Sequence, residues 1–313
     1  MLDFYKIGHY TDEENGTGVT VILPSNSAVC SVEVRGYSPA TRETDLLSVD
    51  KTVQKVNAVV LSGGSAFGLE SDCGVVDYLR ENDIGYDTGK FRVPIVVGAS
   101  IYDLEYKNFA YPDKNAGYIA AKNAEANNFE SGVIGGATGA TISKALGIDY
   151  AVKTRLGVAT LKLNDIEIAV ITVVNALGDV VKDGKIIAGA KLENGEYADV
   201  KRLFTLGTCP TKKSNTTIGC IITNADLTKR ECHILCSLAH DGYAKAFSPS
   251  HTLFDGDAMF CMASGEKKIE FNMLTAIIPD LTEQAIHNSV AYTTNVEKKV
   301  NGLVFKAIQK MFK

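Results

Sequence analysis

Residues 166–181, IEIAVITVVNALGDVV, restrict the fold more than any other stretch of the chain. Glu167 and Asp179 are its only charges, and the rest is dominated by isoleucine and valine. β-Branched residues favour a pleated backbone, and a strand that is apolar at nearly every position needs cover on both faces. The run is also too short for a membrane-spanning helix. Comparable apolar runs are LGVATLKL just before it, NAVVLSGG (57–64), VPIVVGASIYD, and strands at 217–223 and 257–263. TGVTVILPSN and SAVCSVEVRG read as two strands around a turn, a hairpin. Helical periodicity marks AFGLESDCGVVDYLREND, AGYIAAKNAEAN (116–127), 228–247 and terminal helices after about Pro279. Buried strands alternating with helices predict a layered α/β sandwich. SGVIGGATGATISKAL (131–146) reads as a long glycine-rich loop, and 185–215 as an exposed, polar, linker-like stretch.

Composition narrows the function classes. The 313 residues carry a net charge of −5, with 45% hydrophobic and 22% charged side chains, as in soluble globular proteins. The basic runs are short pairs such as Lys212-Lys213, which argues against a nucleic-acid partner, and no stretch suggests a membrane. MLDFYKIGHY lacks a secretory pattern, and seven cysteines is an odd number, so reduced thiols in the cytoplasm are expected. Cys232, His233, Cys236 and His240 form the one metal-like cluster, but their spacing fits no standard zinc site and they fall in a helix. They read as core residues, and no metal is expected.

Three segments carry candidate chemistry. The first is the glycine-rich loop, Gly132-x-x-Gly135-Gly136-x-x-Gly139, followed by Lys144. It lacks the Gly-Lys-Ser/Thr of a phosphate loop and the spacing of a dinucleotide fingerprint, so no cofactor is implied. It is either a turn or a close approach of backbone to an active site, with Gly136, Gly139 and Lys144 lining a substrate pocket. The second is Asp255-Gly256-Asp257, set between apolar flanks. Read alone it favours a turn, although two carboxylates at i and i+2 would also orient a hydroxyl or an ammonium. The third is TKKSNTTIGCIITNA (211–225), where a polar run meets a buried strand at Asn215-Thr216. Threonine is common at strand starts. A hydroxyl there can also attack the preceding carbonyl and, once the chain is cut, become an N-terminal nucleophile.

Taken together, six segments change the balance. NTTIGCIITNADLTK, RGYSPATRETDLL (35–47), VVLSGGSAFGLESDCGVVDYLRENDIG (59–85), IVVGASIYDL (95–104), GGATGATISK (135–144) and HTLFDGDAMF (251–260) occur in the order found in one family. The chain resembles the L-aminopeptidase/D-esterase and β-peptidyl aminopeptidase family. Within it, the match is to the threonine-nucleophile branch that includes 6-aminohexanoate-oligomer hydrolases. The resemblance runs from about residue 7 to about residue 263.

That resemblance implies a four-layer αββα sandwich of the N-terminal-nucleophile type, formed by residues 1–313 as one hydrolase domain. It implies self-cleavage between Asn215 and Thr216 into 1–215 and 216–313. By residue fraction of the 33.6 kDa chain these are about 23 kDa and about 10.5 kDa. It implies Thr216 as nucleophile, Asp255 and Asp257 as the pair that holds it, and Lys144 and Tyr102 as active-site residues. Asn175 is implied as the oxyanion donor. The substrate would be a small peptide or linear amide, and the assembly a homo-oligomer, a tetramer of cleaved pairs. The general base stays open between the new α-amine, an aspartate and the lysine. The alternatives are an acyltransferase resembling ornithine acetyltransferase, and a non-enzymatic binding protein on the same fold.

Overall fold

Two six-stranded sheets face each other, each backed by a pair of helices. The computed structural model describes residues 2–208 and 215–291. In the first sheet the strand order is Glu125–Ala126, Tyr5–Asp12, Thr17–Pro24, Ala58–Ser62, Val96–Ser100, Thr41–Arg42. In the second it is Leu156–Leu163, Ile166–Asn175, Thr216–Ala225, Ala258–Lys267, Ala28–Val34, Lys55–Val56.

Successive side chains alternate between two buried faces, which is why the strands read as continuous apolar runs. Val19, Val21 and Leu23 pack with Val75, Leu79, Ala116 and Ala120 of helices Ser71–Glu81 and Lys114–Lys122. Ile22 points the other way and meets Ile171, Ile218 and Phe260 between the sheets. On the outer side of the second sheet, Ile168, Val170 and Val174 pack with Leu235, Ala239, Ile278 and Ala285 of helices Lys229–Ala246 and Phe271–Val290. The layers run helices, sheet, sheet, helices, the αββα sandwich expected.

Each sheet contains one parallel pair, Ala58–Ser62 with Val96–Ser100 and Thr216–Ala225 with Ala258–Lys267. Parallel neighbours need a crossover, and helices Ser71–Glu81 and Lys229–Ala246 supply it. Thr228 fixes the start of the latter. Its hydroxyl accepts from the Glu231 amide at 3.2 Å, and its own amide donates to the Glu231 carboxylate at 2.8 Å.

The first sheet's two helices touch backbone to backbone. A Cβ on Gly74 would lie 1.8 Å from the Lys114 carbonyl oxygen, and one on Gly117 would lie 1.8 Å from that of Ser71. Gly74→Ala is therefore expected to destabilise the chain by about 1–3 kcal/mol, as overpacking does, read as a lower denaturant midpoint at unchanged slope.

Several expectations need correction. TGVTVILPSN and SAVCSVEVRG form no hairpin. Thr17–Pro24 pairs with Tyr5–Asp12 and Ala58–Ser62, whereas Ala28–Val34 pairs with Ala258–Lys267 and Lys55–Val56 in the other sheet. The run 166–181 is broken after Asn175 and resumes as Asp179–Lys182. At the break, a Cβ on Gly178 would sit 2.2 Å from the Pro249 carbonyl oxygen, so a crossing segment forces the gap. The helix expected at 116–127 ends at Lys122. The terminal helix begins at Phe271 with Pro279 inside it, its course set by the burial of Leu274, Ile278 and Ala285. The stretch read as polar linker holds strand Lys185–Ala188 and helix Val200–Thr205, whose Val200 and Leu203 are buried. Its last part, Lys212-Lys213 included, lies outside the described residues. Cys232, Cys236 and His240 are buried against the backbone of 28–34, with Cys236 Sγ 3.6 Å from the Ser31 oxygen and His240 Nε2 3.1 Å from that of Glu33.

Candidate active site

Strand Thr216–Ala225 starts with Thr216 directly opposite Asn175, the last residue of its antiparallel neighbour. Opposed residues in such a pair share a face. Alternation along the strand puts Thr216 on the same side as Ile218 and Cys220, toward the space between the sheets. The first sheet contributes the chain leaving Val96–Ser100. The Asn175 Nδ2 donates to the Tyr102 carbonyl at 3.0 Å. Its Oδ1 accepts from Lys144 Nζ at 2.7 Å and from the Thr141 amide at 3.0 Å. Lys144 also donates to the Asn175 carbonyl at 3.0 Å. Asn175 thus ties both sheets to the glycine-rich loop.

The bond between Asn215 and Thr216 is buried at this junction. Gly256 N–H donates to the Asn215 carbonyl oxygen at 2.9 Å, and the Thr216 hydroxyl donates to the same oxygen. The Asn215 N–H donates to the Phe254 carbonyl at 3.1 Å. Residues 255–257 are therefore no hairpin turn. They run beside Asn215 as an isolated parallel bridge and lead into strand Ala258–Lys267. The glycine is required: a Cβ at position 256 would lie 2.8 Å from Thr216 Oγ1 and 2.5 Å from the Ser38 carbonyl oxygen.

The two aspartates are buried and grip backbone rather than the Thr216 hydroxyl itself. Asp257 Oδ1 accepts from the Thr217 amide at 2.7 Å, and its Oδ2 meets His251 Nδ1 at 2.7 Å. Asp255 accepts from the Thr252 amide (2.9 Å), the Thr252 hydroxyl (2.6 Å) and the Leu177 amide (3.3 Å). Burial, and then the charge of Asp257, push the Asp255 carboxyl up to about 6. Lys144 is half-buried, with its ammonium turned onto Asn175. Burial pushes that ammonium down to about 7, against the pull of Asp255, Asp103 and Glu105. A lysine near 7 beside a carboxyl near 6 is suited to proton transfer at neutral pH.

Two small cavities flank the bond. Tyr102, Asp103, Glu105, Gly139, Lys144 and Asn215 line one. Ser38, Ser65, Tyr102, Thr216 and Phe254 line the other. Asp103 is buried, accepts from the Thr17 hydroxyl at 2.8 Å and the Gly64 amide at 2.6 Å, and is pushed by burial up to about 6. Of the two glycines expected to meet substrate, Gly139 is in the first cavity and Gly136 is in neither. The Gly136 amide donates to the Thr20 hydroxyl at 3.1 Å, and a Cβ there would meet the Leu61 oxygen at 2.4 Å. Its role is packing on strand Ala58–Ser62. Sequence reasoning also missed Lys153, whose Nζ holds the loop through the carbonyls of Ala137 (2.7 Å), Ala140 (2.9 Å) and Thr154 (2.6 Å). It missed the Gly256 amide and His251 as well.

The model of peptidase family S58 matches residues 5–303. The chain belongs to peptidase family S58. It is 34% identical over 279 residues to an uncharacterised aminopeptidase of Mycobacterium leprae, covering 83% of this chain and 76% of that one. It is 30% identical over 266 residues to a 6-aminohexanoate-oligomer endohydrolase of Paenarthrobacter ureafaciens, covering 82% and 72%. The solved L-aminopeptidase D-Ala-esterase/amidase of Ochrobactrum anthropi, a variant of the Ntn hydrolase fold, matches with a TM-score of 0.69 at 14% identity, over 99% of this chain and 92% of that one. This S58 chain is a hydrolase of amide bonds on an N-terminal-nucleophile fold, and the matches give the acyltransferase alternative no support. No helix among the described residues is long and apolar enough to cross a membrane.

Proposed function

We propose that the chain cuts itself between Asn215 and Thr216 and then hydrolyses small amides through an acyl-enzyme on Thr216. The observation that carries this reading is the pair of donors on the Asn215 carbonyl oxygen: the Thr216 hydroxyl and the Gly256 amide. In the first step Thr216 Oγ1 bonds to the Asn215 carbonyl carbon. The hydroxyl proton passes to a neutral Lys144, and negative charge gathers on the carbonyl oxygen. The Gly256 N–H already points at that oxygen, the arrangement that stabilises an oxyanion. The C–N bond then breaks, the proton goes to the Thr216 nitrogen, and an ester links Asn215 to Thr216. Water cleaves the ester and leaves the Asn215 carboxylate with a free Thr216 hydroxyl and α-amine.

The same hydroxyl then attacks a substrate amide, the amine half leaves, and water releases the acyl half. Asn175, fully buried and donating to the Tyr102 carbonyl, would meet a substrate oxyanion through its second amide hydrogen only once substrate opens the junction. Asp103 and Glu105 in the cavity wall suit a substrate with a positively charged amino end. That fits an aminopeptidase, the activity named for the Mycobacterium leprae relative, more directly than the 6-aminohexanoate-oligomer endohydrolase named for the other, since an endohydrolase cuts away from the free amino end. We assign the enzyme to the cytoplasm, as a homo-oligomer of cleaved pairs.

Denaturing electrophoresis with N-terminal sequencing tests the cut. The expected result is bands of about 23 kDa and about 10.5 kDa, the smaller beginning Thr-Thr-Ile, from a 33.6 kDa precursor. An uncut chain with full activity overturns it. Side-by-side hydrolysis of α-, β- and ω-amino-acid amides fixes the substrate class. Amides with a free amino end are expected to exceed their N-acetylated forms in kcat/KM by about tenfold or more, the value of a single lost charge contact.

A further inference from the structure

A stack of three rings lies beneath the carboxylate pair and is not used by the mechanism above. His251 packs on Tyr243 with planes 26° apart and centroids 5.8 Å apart. It packs on His240 edge to face at 4.9 Å. Its backbone is left-handed, with φ of +50°, a conformation rare for a residue with a Cβ, so the surroundings hold the ring where it is. That placement brings Nδ1 to 2.7 Å from Asp257 Oδ2, and Nε2 faces the His240 carbonyl at 3.5 Å. The two carboxylates are thus treated differently. Asp257 receives one backbone amide and one imidazole. Asp255 receives two backbone amides and a threonine hydroxyl.

We propose that His251 is a positioning residue that decides which member of the pair keeps its charge. As an imidazolium it sets a full opposite charge on Asp257 and keeps that carboxylate aimed at the Thr217 amide, so that Asp255 is the member whose charge varies beside Lys144, the group that takes the Thr216 proton. The assignment rests on Thr216 being the nucleophile.

The groups facing His251 support it. Burial disfavours the charged ring and Arg35 adds to this, while the hydrogen bond and charge of Asp257 and the His240 carbonyl favour it. The balance leaves His251 above its ordinary value. His240 does not compete for the charge, because burial pushes its ring down to about 4. Tyr243 contributes a neutral face, burial holding its phenol well above the ordinary range.

Two measurements test the proposal. The first is an NMR titration of the histidine rings in the full Thr216→Ala chain, which needs no activity. His251 should titrate above 6.5, and should fall in the Asp257→Asn background. A ring titrating at or below 6.5 overturns the proposal, and this arm stands even if His251 variants fail to fold. The second is the pH profile of hydrolysis by His251→Asn, which keeps a donor near Nδ1 but no charge. Its acid limb should move up by about one pH unit with KM unchanged, since one opposite charge has been removed from the pair. An unmoved limb overturns the proposal. A wild-type chain that neither cuts itself nor hydrolyses amides refutes the Thr216 reading instead, and the ring titration then decides for His251 alone.

Discussion

Thr216→Ala is expected to leave a single 33.6 kDa chain and to abolish amide hydrolysis. The substitution removes the hydroxyl that donates to the Asn215 carbonyl oxygen. It takes away one small polar group at the end of a strand held by eight register pairs with Ile166–Asn175, so the fold should survive. Residual turnover should be lower by about 10⁴–10⁶-fold, the range seen when a nucleophile is deleted while binding and the oxyanion donors remain. Thr216→Ser should cut itself and work, because the hydroxyl persists. A Thr216→Ala preparation that still yields a fragment beginning at residue 216 would refute the mechanism.

The second large effect concerns Lys144. Neutral amine is needed to receive the Thr216 proton, and a lysine pushed down to about 7 supplies it in quantity at physiological pH. Self-cleavage should therefore accelerate about tenfold per pH unit below 7 and level off above it. Lys144→Met should slow cleavage by about 10²–10⁴-fold. Lys144→Arg should lose nearly as much, because a guanidinium keeps charge and hydrogen bonds yet gives up no proton in this range. Full cleavage by Lys144→Arg would mean that the lysine acts through charge alone. The rate-versus-pH curve of precursor processing, followed by gel densitometry, separates the cases.

The layers were legible in the sequence because they depend on patterns that stay local, whereas the candidate site was legible only through the resemblance that six ordered segments carry. A strand covered on both faces is apolar at every step, and a helix shows its period within a few turns. Thr216, Asp255, Asp257, Lys144 and Tyr102 lie in those segments and Asn175 in the apolar run 166–181, and the structure brings them to one junction. What failed depends on contacts between distant residues. The strands at 17–24 and 28–34 look alike as sequence, but their partners lie in different sheets. Gly256 looked like the middle of a turn, because nothing local shows that its amide meets a carbonyl 41 residues earlier (256 − 215). His251 sits six residues before Asp257 (257 − 251) in a stretch that is neither helix nor strand, so no period links them, and its left-handed backbone goes with a ring placed on the carboxylate. Gly136 and Gly139 looked equivalent, yet one packs on a strand and the other borders the cavity.

The order of strands in the second sheet bears on what happens after the cut. Thr216–Ala225 and Ala258–Lys267 are its two middle strands, with Ile166–Asn175 on one side and Ala28–Val34 on the other. The proposed small fragment is therefore wedged between two parts of the large one, like a card slid into a closed deck. Neither piece has a complete sheet alone. Both donors to the Asn215 carbonyl lie after the cut, while Asn175 opposite Thr216 and the Lys144 it binds lie before it, so the chain has to finish folding before it can process itself. Processing then removes the covalent link that guided the middle strands home. Heated and cooled side by side, the uncut Thr216→Ala chain should regain its structure, whereas the processed enzyme should not. For this protein maturation would be a ratchet: the route into the native state closes behind it.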